Sequence, residues 1–164
     1  MQQTQPTTPK TFLKRISIIH FAMFIAPVGL ALMMYSEITK TKLEINDTGN
    51  MFLYIVPISA LLSIFLGNHF FNKQINIAKT KDTLLEKLNI YQTGSIIKFS
   101  MLEGAALLGT LAFKEGGNLF YLTISGILIM YLALQRPTKL SVENALNLTL
   151  EQQSQFNNPN EILV

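Results

Sequence analysis

Residues 94–113 read GSIIKFSMLEGAALLGTLAF, an apolar run of helical length interrupted by two charges, Lys98 and Glu103. About 20 apolar residues are what a helix needs to cross some 30 Å of hydrocarbon. A carboxylate inside such a run costs on the order of 3 kcal/mol unless it is neutralised or partnered. The stretch therefore asks whether the chain crosses a membrane and, if so, what Glu103 does there.

The remaining sequence answers the first question. The 164 residues are 49% apolar and only 14% charged, where a soluble domain carries about 25% charge. Mean hydropathy is positive. Three further runs match 95–113 in character, at about 16–35, 51–71 and 118–135. None alternates apolar with polar residues as barrel strands do. The expected fold is all-α, a bundle of four transmembrane helices over residues 11–149. The first run is too long for the apolar core of a signal peptide, and no small-x-small site follows Tyr35, so it is expected to stay as an anchor.

Orientation follows from the cations. Lys10, Lys14 and Arg15 precede the first run, Lys73, Lys79, Lys81 and Lys87 lie between the second and third, and Arg136 and Lys139 follow the fourth. With Lys98, ten of the 13 basic residues fall on one side if the spans alternate, leaving Lys40, Lys42 and Lys114 on the other. The positive-inside rule then puts both termini in the cytoplasm. Tyr35, Tyr54, Tyr121 and Tyr131 fall near span ends, where amphipathic rings favour the interface.

Between the spans, NDTGN at 46–50 and KEGGN at 114–118 read as turns. Leu84, Leu88 and Tyr91 recur at helical spacing, which predicts one helix from about 82 to 113 and a cytoplasmic helical hairpin over about 72–94. RPTK at 136–139 stops the fourth helix, and KLSVENALNL at 139–148 predicts a short amphipathic helix along the inner leaflet, with Leu140, Ala145 and Leu148 as its apolar face. Residues 1–10 and 150–164 are rich in Gln, Asn, Thr and Pro without apolar period and are expected to be disordered.

Within the third span, Ser100, Glu103 and Thr110 share one face at 100° per residue, while Lys98, Ala105, Gly109 and Ala112 form a small-residue ridge opposite, where another backbone can approach. Lys98 lies one turn below the interface and can snorkel out without a partner. Glu103 lies deeper. Depth matching offers His20, Ser63, Asn68 and Ser100 as neighbours, so the candidate intramembrane polar cluster is Glu103, His20, Ser100 and Ser63. Such groups act as glue between helices, or as a proton or ion site. Pro27, Gly29 and Pro57 interrupt the first two spans, as kinks or as broken-helix sites.

Several classes fall away. With no cysteine there are no disulfides and no thiolate chemistry. No hydrolase, zinc-peptidase or P-loop pattern is present. His69 lies at the interface and gives His20 no axial counterpart at matching depth, so no haem, and no other cofactor or metal, is expected. The basic residues are the orientation signal, so no nucleic acid is expected either.

YIVPISALLSIFLGNHFFNKQ, LLEKLNIYQTGSIIKFSMLEGAALLG and LALQRPTKLSVENALNL, within residues 51–148, resemble an uncharacterised family of small four-span integral membrane proteins from Bacteroidota. The family has no assigned activity and supplies no catalytic residues; the resemblance implies a bacterial inner (plasma) membrane. Rotary-ATPase proteolipids and small multidrug exporters also have few spans and one membrane carboxylate, but theirs lie in other spans. The expectation is a non-enzymatic accessory or assembly partner of a larger membrane complex, its partners being the lipid bilayer and another membrane protein or a second copy. The competing expectation is a small oligomeric transporter or channel using Glu103 with His20.

Overall fold

The computed structural model describes residues 7–46 and 49–163. The turn expected at 46–50 and the N-terminal segment expected to be disordered fall in part outside them. Among the described residues six helices and no strand are present: α1 Pro9–Glu37, α2 Phe52–Lys79, α3 Leu84–Gly116, α4 Leu119–Leu134, α5 Lys139–Leu146 and α6 Leu150–Asn157.

Helix starts are written by threonines. Thr8, Thr83, Thr138 and Thr149 each accept a backbone N–H three residues on, from Thr11, Glu86, Ser141 and Gln152. Each satisfies a donor that the first turn would otherwise leave open. Pro9 follows Thr8, where a missing N–H costs nothing. At the other end of α3, Gly117 takes a left-handed conformation (φ 65°), and a Cβ there would meet the Lys40 carbonyl. Asn118 then caps α4 and holds the preceding loop: its Oδ1 accepts from Phe120 and Glu44 N–H, and its Nδ2 donates to the Glu44 carbonyl at 2.7 Å. Lys42 N–H donates to Gly117 O and Leu119 N–H to Lys42 O, so this loop is stapled onto the α3–α4 turn.

α1, α2 and α3 are long and apolar enough to cross a membrane; α4, with α5 bent from it by 82°, makes up to a fourth. At 1.5 Å per residue α4 alone is about 24 Å long. Half of the α3 apolar window is buried inside the protein, against 17% for α1 and 22% for α2, so α3 is the central helix. Pro27 and Pro57 both lie inside continuous helices, and neither breaks one.

Three buried clusters stack along the bundle. Met34, Val56, Ala112, Phe113 and Tyr121 fill the α3–α4 turn end. Ala60, Phe99, Leu102, Ala105, Ala106, Leu128 and Leu132 fill the middle. At the terminal end, Phe12, Ile16, Ile75, Leu88 and Tyr91 meet Val142, Leu146 and Phe156. Around the middle, α1, α2 and α4 turn Phe21, Leu32, Leu61, Phe65, Ile127 and Met130 outward, all at least 60% exposed. A soluble monomer does not carry a continuous apolar girdle of this kind.

Three expectations need correction. The tail at 150–164 contains α6, because Thr149 and Gln152 form a capping box and Phe156, 2% exposed, reaches the apolar bundle end. Its remainder binds the other terminus, Leu163 N–H donating to Thr7 O at 2.9 Å and Lys10 N–H to Pro159 O at 3.2 Å. At the front of the chain, α1 already begins at Pro9 inside the segment 1–10, and residues 1–6 lie outside the described residues. Finally, α5 buries Val142 and Leu146 against the bundle; of the expected face, Leu148 is buried there and Ala145 packs beside it, and only Leu140 is exposed.

Candidate functional site

The four candidate residues are not joined to one another by any hydrogen bond in the structure. His20, on α1, is only 6% exposed; its Nε2 donates to the Leu132 carbonyl at 2.8 Å, and its ring stands edge-on to Phe99 with centroids 4.9 Å apart. The Leu132 carbonyl belongs to the last turn of α4, where i→i+4 donors run out. It also accepts from Gln135 N–H at 3.0 Å. His20 is thus a side-chain cap on the end of α4, its Nε2 carrying the proton.

Ser63 is buried and donates to Ala60 O, within its own helix. Ser100 is exposed, and Glu103, one turn further along α3, is half-buried. Its carboxylate has no hydrogen bond or ion pair among the described residues. Thr110, placed on the same face by 100° steps, is fully buried and donates to Ala106 O at 3.0 Å. Gly104, beside Glu103, is exposed, and a Cβ added to it would meet no atom within 4 Å. The strip Ser100–Glu103–Gly104 is therefore shallow and open on the outside of the bundle.

The opposite face is closed. Lys98, Ala105, Gly109 and Ala112 are all buried. At Gly109 a Cβ would collide with Ser125 Oγ and crowd the Tyr121 carbonyl, so α4 rests directly on the α3 backbone. Ser125 donates to Ala106 O at 2.9 Å, a hydroxyl bond between the two helices. Close backbone approach with hydroxyl bonds is how helices associate where the hydrophobic effect is absent.

Two lysines are buried, and Lys98 departs from the expectation that it snorkels out. Lys98 does not reach outward: it is 8% exposed, its Nζ donates to Gln135 Oε1 at 2.6 Å and lies 5.2 Å from the Phe71 ring centroid. Lys87, 5% exposed, donates to Gln152 Oε1 at 2.9 Å, and Gln152 Nε2 donates to Asp82 O, locking α6 across the start of α3. Both partners are neutral glutamines. Depth along the spans would have suggested Gln135 for Lys98; nothing in the tail singles out Gln152. Asn68 adds a bond from α2 to α4, donating to Tyr131 Oη at 3.2 Å.

No family model, curated protein or solved structure matches the chain. Among the described residues no three His, Asp or Glu side chains gather as a metal centre would need. No nucleophile–base pair is formed by the four candidates, and what the strip at Glu103 offers chemically is an unmatched acceptor beside a flat, small-residue surface.

Proposed function

We propose that the chain is a four-span integral membrane protein of a bacterial inner membrane, both termini cytoplasmic, that acts without catalysis as an accessory or assembly partner of a larger membrane complex. The outward position of Glu103 carries the reading. Facing lipid, a carboxylate costs on the order of 3 kcal/mol, and among the described residues no group pairs with it. A second helix bearing a donor, laid on Ser100 and Gly104, removes that cost and finds backbone-level access at Gly104. The transport reading needs His20 and Glu103 to act together, whereas His20 is committed to the Leu132 carbonyl.

Topology is supported by the same chemistry. Ten of 13 cations sort to the end where the chain termini meet. α4, shorter than a typical span by a turn or so, is accommodated by local thinning and by Asn118 and Arg136 at its ends.

The test is extraction of the tagged chain in native lipid discs, with mass spectrometry of what accompanies it. A stoichiometric membrane partner, or a second copy, is expected with the native chain and is lost in Gly104→Leu. A chain that emerges alone overturns the proposal. Glu103→Gln, which keeps shape and hydrogen bonding, is expected to retain the partner; loss of an ion or proton flux in that variant would favour transport instead.

A further inference from the structure

Arg136, just beyond the end of α4, borders two cavities. The inner one, about 180 Å³, is bounded by Tyr91, Ser95, Lys98, Gln135 and Ser141. The outer one is an open groove of about 520 Å³ between α1 and α4. Lys14 and Arg136 stand at its terminal end, and Ile18, Phe21, Phe24 and Ala133 continue it into the apolar girdle. From Lys14 to Phe24 the groove follows α1 for about 15 Å.

No carboxylate borders either cavity. Among the described residues none of Lys14, Lys98 and Arg136 forms an ion pair, and the Lys42–Glu44 pair lies at the opposite end. Lys98 is the telling member. A buried ammonium is ordinarily paired with an anion, yet this one meets only the Gln135 amide and the Phe71 ring. The positive-inside rule accounts for cations at this end of the helices; it does not account for one turned into the protein beside a cavity.

Three uncompensated cations at the level where α4 ends, with an apolar channel leading from them toward the bilayer centre, complement a molecule with an anionic head and a hydrocarbon tail. We propose that the α1–α4 groove is a binding site for one anionic glycerophospholipid, its phosphate between Lys14 and Arg136 and an acyl chain along Ile18, Phe21 and Phe24. Basic pockets between transmembrane helices on the cytoplasmic side take such head groups. Lys98 strengthens the positive field from inside without touching the lipid. A free phosphate would leave the apolar floor unused, and a zwitterionic lipid would leave the cations uncompensated. The inference requires that the helices cross a membrane, and it is independent of whether Glu103 meets a partner.

Native mass spectrometry of the purified full-length chain tests it, with phosphatidylglycerol and phosphatidylcholine of identical acyl chains as probes. One phosphatidylglycerol is expected to stay bound, preferred about tenfold or more, as two surface cations allow. Lys14→Gln/Arg136→Gln should lower its affinity roughly thirtyfold. Lys73→Gln/Lys79→Gln removes equal charge away from the groove and should leave the affinity within about twofold. Equal binding of the two lipids by the native chain overturns the site without reliance on any variant. So does displacement of the lipid by excess inorganic phosphate, unchanged affinity in Lys14→Gln/Arg136→Gln, or an equal loss in the control pair.

Discussion

Around Ala60, Ala105 and Ala106 the helices meet through small side chains, with Phe99, Leu102, Leu128 and Leu132 packed beside them, and turn Leu61, Phe65, Ile127 and Met130 outward. Around Leu88, Val142, Leu146 and Phe156 the outside reverses: large side chains again point in, but Asp82, Glu86, Asn89 and Glu151 stand outside. In a bilayer the first region gains nothing from hiding apolar surface, because lipid is as apolar as leucine; there van der Waals fit and the Ser125–Ala106 bond hold it. The second is a small water-facing core, held by the hydrophobic effect and sealed by the Lys87–Gln152 bond. One helix, α3, serves both, which is why it runs 33 residues without interruption.

The contrast can be broken by mutation. The largest effect is expected from Phe156→Ala, which should cost the terminal core about 3–5 kcal/mol. Limited proteolysis should then cut α6 while helicity of the spans persists; loss of the whole fold in one step would mean the regions are not separable. Next comes Gly109→Leu in the middle region, where overpacking against Ser125 and Tyr121 should cost about 1–3 kcal/mol. Thermal unfolding in detergent should fall, with α6 still protected.

Asn118→Ala should cost about 1 kcal/mol through the lost α4 cap. The loop it binds should exchange amide hydrogen faster near Glu44, with the terminal core unaffected.

The smallest effect concerns pH. Burial pushes the Tyr91 phenol above its ordinary value of 10.0, although hydrogen bonds with Ser141 and Ser95 pull it down. The unfolded chain then loses that proton first. The contribution to stability is complete below the ordinary value and is lost as pH rises toward the folded one. Protease protection of α6 should decline above that ordinary value in the native chain and decline less in Tyr91→Phe.

The sequence and the structure part company along the same division. Apolar runs of span length, the continuity of residues 84–113 and the small-residue ridge could be read directly, since periodicity and length carry them. The terminal core could be read only in part, as the faces of Leu84, Leu88 and Tyr91 and of Ala145 and Leu148, without what covers them. α6 is polar in composition, and its place depends on Phe156 and Gln152 finding partners far along the chain, which no local period records. Lys98–Gln135 and Lys87–Gln152 join residues 37 and 65 apart. His20 was open to misplacement for another reason: its partner is a backbone carbonyl, and every helix end offers those whatever its side chains. Ser125 was equally silent, a hydroxyl close to Thr123 in an apolar run, whose value appears only once Gly109 lies against it.

The central claim is that the middle region lies in lipid, with both water-facing ends on opposite sides. The chain has no cysteine, so single cysteines are clean reporters. The decisive measurement places one in turn at Lys10, Lys81, Lys139, Lys40 and Glu115 and labels intact cells, then opened cells, with a membrane-impermeant maleimide. The account predicts that Lys40→Cys and Glu115→Cys react in intact cells, and that Lys10→Cys, Lys81→Cys and Lys139→Cys react only once the cells are opened. Labelling of Lys81→Cys and Glu115→Cys from the same side would contradict it.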